Sequence, residues 1–160
     1  MAEFSHIDGN GNAVMVDVTE KKVTKREATA EGYITVSAEC YRNISEGTVK
    51  KGDVLSTARI AGIMGAKKNS ELIPLCHILN LTKVSVDFEF CGEAADGFRI
   101  RSVCTVRCTG RTGVEMEALT GVSVSLLTVY DMCKAVDRRM TIGGICLLKK
   151  AGGKSGTFIR

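Results

Sequence analysis

The chain has 160 residues, 44% hydrophobic and 25% charged, with one proline and no tryptophan, enough for one domain with its own core. No run approaches the ~20 apolar residues that span a bilayer, and no basic segment followed by an apolar run opens the chain, so a cytoplasmic protein without a membrane partner is expected. The net charge of +4 is concentrated: Lys149, Lys150, Lys154 and Arg160 stand among the last twelve residues with no acid, the rest balances at zero, and 5% aromatics offer little for nucleic-acid bases to stack on.

Residues 1–10 read as a flexible arm of a single domain spanning 1–160. Val14, Val16 and Val18 alternate as in a short strand, and a second extended stretch falls around Tyr33 to Ser37. A polar segment, Arg42 to Gly52, separates them from a helix. There Asp53 is placed to cap the N-terminus, Val54, Ala58, Ala61 and Met64 or Gly65 recur at helical spacing, and Lys67 and Lys68 suit the C-terminal dipole. The small residues Ala58, Ala61, Gly62 and Gly65 would admit another backbone closely.

The loop ELIPLCHILN holds the one proline and one of the two histidines. After it, Val84, Val86, Phe88 and Phe90 alternate with polar partners. Phe98, Ile100, Cys104 and Val106 then face away from Arg99, Arg101, Thr105 and Arg107, and CGEAADG joins the two runs as a hairpin with one wet face. A long helix is expected from about Glu115 to Val136, with Leu119, Val122, Leu126, Val129, Tyr130 and Cys133 along its apolar stripe. A strand, ICLL, leads into the glycine-rich tail. Together these elements predict an α+β fold, an antiparallel sheet with helices packed on one face. Seven cysteines without a Cys-x-x-Cys pair suit reduced core thiols better than disulfides or a zinc site.

The tail GGKSG is not a Walker phosphate loop, because the glycine required five residues before Gly153 is Leu148 and too little chain follows Lys154 to form the helix. Its glycines and Lys150 and Lys154 could still meet an anion, or form an ordinary flexible tail. Asp131 and Lys134 share a helix face. An exposed ion pair is the plainer reading, but they are the only charges between Ala118 and Val136. His77 lies on a helix-to-strand connection, where sites gather. Glu115 and Glu117 open the long helix, where acids ordinarily just complement the dipole.

Taken together, MVDV (15–18), KGDVLSTARIAGI (51–63), LIPLCH (72–77), TGVEMEALTGVSVSLLTVYDMCKAVD (112–137) and KKAGGKSG (149–156) resemble the cyclic pyranopterin monophosphate synthase family, MoaC, over nearly the whole chain. One departure is Ile78, where that family commonly has proline. The resemblance implies a ferredoxin-like fold and a homohexamer built as a trimer of dimers, with sites between subunits. It implies a lyase of molybdenum cofactor biosynthesis that converts (8S)-3′,8-cyclo-7,8-dihydroguanosine 5′-triphosphate to cyclic pyranopterin monophosphate and diphosphate. By motif position it makes Asp131, Lys134 and Lys51 catalytic, and assigns substrate contacts to Leu75, Cys76, His77, Glu115, Met116, Glu117, Arg26, Lys150 and Lys154. Such a rearrangement moves protons without redox change, which a carboxylate and lysines can serve. No cofactor is required, no metal-ligand spacing is present, and any magnesium would arrive with the nucleotide phosphates. The rival is a nucleotide- or nucleic-acid-binding module without catalysis, which would tolerate loss of Asp131.

Overall fold

The computed structural model describes residues 6–160. The elements run β1 (Thr24–Val36), α1 (Ala38–Ser45), α2 (Val54–Lys67), α3 (Asn69–Leu72), β2 (Leu81–Ala94), β3 (Gly97–Gly110), α4 (Glu115–Cys133), β4 (Thr141–Ala151) and β5 (Phe158–Ile159). Five antiparallel strands lie in the order β2-β3-β1-β4-β5. The first four, with their helical connections, make the ferredoxin-like α+β arrangement that the resemblance implies.

Strand β1 is central because it alternates cleanly. Ala28, Ala30, Gly32, Ile34 and Val36 are buried against the helices, while Lys25, Glu27, Thr29, Glu31, Tyr33 and Thr35 take the open face. That face carries ion pairs across four strands. Glu27 joins Arg107 of β3 and Lys149 of β4, and Glu31 joins Arg101 of β3, which reaches on to Glu89 of β2.

On the covered face α2 and α4 cross where glycine meets glycine. A Cβ on Gly62 would lie 2.8 Å from the Gly121 carbonyl oxygen, and one on Gly121 would lie 2.6 Å from Cys104 Sγ. Neither position has room for a side chain, so the helices approach backbone to backbone and α4 settles onto β3. Val122, Leu126 and Val129 fill the space above β1. Truncating the fully buried Leu126 to alanine would cost about 2–5 kcal/mol. Asp53 caps α2, accepting from the Ser56 amide at 2.9 Å, as its position suggested.

Several expectations need correction. Residues 14–18 form no ladder strand; the one bridge nearby joins Ile7 to Ala13 across a turn that Asp8 organises. The expected flexible arm is thus partly a closed turn at 6–13, and residues 1–5 lie outside the described residues. A helix not expected there, α1, begins just after β1 and runs into the segment read as polar from Arg42; it is capped by Ser37, with Cys40 and Ile44 buried and Tyr41 set 5.1 Å from the rings of both Phe90 and Phe98. Gly65 is buried in α2 whereas Met64 is exposed. The long helix stops at Cys133, three residues before Val136. Of the cysteines, Cys40, Cys104, Cys108 and Cys133 are core residues, whereas Cys91 is exposed. No helix among the described residues is long and apolar enough to cross a membrane.

Candidate active site

The residues singled out above fall into two groups, at opposite ends of α4. The first is Lys51, Asp131 and Lys134. Lys134 Nζ reaches one Asp131 carboxylate oxygen at 2.7 Å. Lys51, from the turn ahead of α2, donates to the other oxygen at 3.2 Å and to the Asp131 carbonyl at 2.8 Å. Both ammonium groups, Lys134 first, hold the Asp131 carboxyl below the usual carboxylate range. All three side chains are about half exposed or more, so the ion pairs stabilise the fold little, and the cluster is open to a ligand or a partner.

The second group surrounds the start of α4. Val16, Val18, Leu75, Cys76, His77, Met116 and Glu117 line a cleft of about 380 Å³. His77 Nε2 donates to the Val16 carbonyl at 2.8 Å. A carbonyl only accepts, so Nε2 carries a proton, and the tautomer compatible with this bond is the one that leaves Nδ1 as the acceptor. Within MVDV the Val16 carbonyl is thus taken by His77 and the Val18 carbonyl by the Lys21 amide, rather than by ladder partners. Glu117 is 4% exposed. Burial pushes its carboxyl up from the ordinary value, and the Asn69 amide, donating at 2.8 Å, draws it partly back.

Through Lys21, Thr112, Gly113 and Glu115 this cleft continues into a larger one of about 630 Å³. There Lys21, Lys22, Arg26, Arg111, Lys150 and Lys154 stand against three carboxylates, Glu20, Glu27 and Glu115. Lys150 bridges Glu115 at 3.3 Å and Ser155 at 2.9 Å. Arg26 donates to the carbonyls of Gly110 and Arg111 and lies under the tail. A Cβ on Gly153 would collide with its guanidinium, and one on Gly152 with the Lys25 carbonyl, and both glycines have positive φ. Far from loose, the tail turns there and returns as β5, paired with β4.

The structure therefore brings Arg26, Leu75, Cys76, His77, Glu115, Met116, Glu117, Lys150 and Lys154 to one groove. It leaves Lys51, Asp131 and Lys134 outside it. Lys21, Lys22 and Arg111 were missed, because the balance of charge over residues 1–148 hid the local run Lys21, Lys22, Lys25, Arg26. Among the described residues no three His, Cys, Asp or Glu side chains group as metal ligands would.

The groove combines a cationic end suited to a polyanion with an end where a buried carboxyl and an imidazole can exchange protons. Residues 15–153 match the model of the MoaC family. The chain is 54% identical over 157 residues to the cyclic pyranopterin monophosphate synthase of Clostridium botulinum (strain Alaska E43 / Type E3), covering 98% of this chain and 97% of that one. It is 52% identical over 160 residues to the protein of the same name from Staphylococcus carnosus (strain TM300), covering 100% and 98%.

Proposed function

The chain belongs to the MoaC family, and we infer from that premise and the groove that it acts as a cyclic pyranopterin monophosphate synthase, an enzyme of molybdenum cofactor biosynthesis. In this reading a nucleotide-derived substrate, (8S)-3′,8-cyclo-7,8-dihydroguanosine 5′-triphosphate, lies along the groove. Its triphosphate meets Lys21, Lys22, Arg26, Arg111, Lys150 and Lys154, and its purine-derived rings face His77, Met116 and Glu117. The continuity of a cationic cleft with a cleft holding His77 and Glu117 carries the reading, because one elongated ligand with an anionic end and a proton-accepting end fits both.

Fixed cations favour diphosphate departure by meeting the charge that develops on the leaving oxygen. His77 Nδ1 and the Glu117 carboxyl are placed to move protons on the ring atoms, where opening and reclosing need no electron transfer. Any magnesium would enter with the phosphates.

Lys51, Asp131 and Lys134 stand apart in one chain. Glu117 and Asp131 are fourteen residues apart on the unbroken α4, or about 21 Å along the axis. We therefore assign the trio to the groove of a neighbouring subunit, in a homo-oligomer whose two-fold axis runs one chain's Asp131 toward the other's Glu117. A trimer of such dimers satisfies this geometry, and a cytoplasmic setting suits the substrate.

The test is to supply the cyclic dihydroguanosine triphosphate to purified protein and follow diphosphate and the pyranopterin product by mass spectrometry. Formation of both above an enzyme-free control is expected. Tight binding with no diphosphate released would instead favour a binding module.

A further inference from the structure

Glu117 has a partner with no evident role in catalysis. Asn69, the first residue of α3, is 1% exposed, and its side-chain amide bridges two residues of α4. Its Nδ2 donates to Glu117 Oε1 at 2.8 Å, and its Oδ1 accepts from the Thr120 hydroxyl at 2.7 Å. An asparagine amide presents one donor side and one acceptor side. With the Thr120 hydroxyl donating to Oδ1, the nitrogen must face the carboxyl.

We propose that Asn69, held in that orientation by Thr120, is a positioning residue that fixes the direction of the Glu117 carboxyl in the groove and favours its ionised form. The inference rests on the reading of Glu117 as a group of the active site.

Three observations support it. A buried carboxylate needs a donor, and Asn69 is the one side chain hydrogen-bonded to Glu117 among the described residues. The donor opposes the effect of burial, which alone would leave the carboxyl neutral over a wider range of pH. Lastly, the backbone carbonyl of Asn69 accepts from the Ile73 amide at 2.9 Å, so the residue whose side chain holds Glu117 is itself fixed by its main chain at the start of the segment leading to Leu75, Cys76 and His77. The other titratable groups facing Glu117 are Glu115 on its own helix and Cys108 on β3, with His6, Lys21, Cys76 and His77 lining the same cleft.

The experiment titrates the Glu117 carboxyl carbon by NMR in the full-length protein and measures the pH profiles of kcat and kcat/KM. Wild type would be compared with Asn69→Ala, Thr120→Val, Thr120→Ser and Glu117→Gln. Losing one neutral hydrogen bond to the charged form should raise the Glu117 titration by about one pH unit in Asn69→Ala. Thr120→Val should move it the same way by less, since the amide can then turn its oxygen toward the carboxyl. Thr120→Ser, which restores the hydroxyl, should leave it in place. The limb of the wild-type kcat profile whose midpoint coincides with the Glu117 titration should move with that titration in the Asn69 and Thr120 variants.

An unmoved titration in both Asn69→Ala and Thr120→Val would overturn the inference, even if both variants melt earlier, because a purely structural role predicts only the earlier melting. Should Asn69→Ala fail to fold, Thr120→Val against Thr120→Ser decides the matter. If Glu117→Gln keeps wild-type turnover, the placement of Glu117 in the active site fails, and the NMR titration still reports separately whether Asn69 governs its ionisation.

Discussion

Asp131→Asn and Glu117→Gln, each expected to be inactive alone, should restore activity when mixed under conditions that exchange subunits. The magnitude follows from α4. Its nineteen residues run without a break, so the separation of about 21 Å between the two carboxylates along one helix cannot be closed within a chain. If each site takes Glu117 from one subunit and Asp131 from its two-fold mate, a mixed dimer has one site with both groups intact and one with neither. Random exchange of equal amounts makes half the dimers mixed, and half their sites work, so about a quarter of wild-type turnover should return. The assay is diphosphate release after exchange, with subunit mixing verified by native mass spectrometry on differently tagged chains. Verified exchange without any returned turnover would refute the two-chain site.

Asp131→Asn and Lys134→Ala should each lower kcat by about a hundredfold or more, as expected for lost acid–base groups, with circular dichroism unchanged. Lys150→Ala should weaken substrate affinity, and the gap to wild type should narrow as salt rises, because a partly exposed cation–phosphate contact is screened; calorimetry across a salt series reads both. Glu117 has a folded-state carboxyl raised by burial, so its neutral form favours the fold and that contribution is lost as pH rises through the raised value. Urea melts should therefore show Glu117→Gln gaining on wild type toward neutral pH, with the difference shrinking in acid. Gly62→Ala improves helix propensity but sets a methyl 2.8 Å from a backbone oxygen that cannot rotate away, and a net loss of about 1–2 kcal/mol is expected by thermal unfolding.

Much of the fold was legible because its signals were local. The Asp53 cap, the hairpin joined by Ala95 and Asp96, and the apolar stripe on α4 each announce themselves within a few residues. What was not legible depended on distant partners. Val14, Val16 and Val18 alternate like a strand, but Val16 meets His77 and not a neighbouring strand. Helix α1 has its Ser37 cap and its buried Cys40 and Ile44, yet eight residues give too few turns for the period to stand out from a polar run. The groove behaved likewise. Its motif residues could be named from the sequence, but Lys21, Lys22 and Arg111 join it only because β1 and β3 set their ends side by side. Asn69 carried no signal at all, since its value comes from facing Glu117 across the helix packing.

The ion pairs on the open face of the sheet add little to stability one by one, but they penalise mispairing. Side chains alternate between faces, so sliding β1 by a single residue against β3 would turn Glu27 and Glu31 toward α4 and strand Arg101 and Arg107 in the open. Each unpaired carboxylate buried that way costs several kcal/mol, comparable to the whole margin by which a domain this size is folded. Out-of-register sheets are thereby rejected during folding. The charge pattern acts as a check on alignment, and the groove, whose walls come from the ends of β1, β3 and β4, inherits its shape from that check.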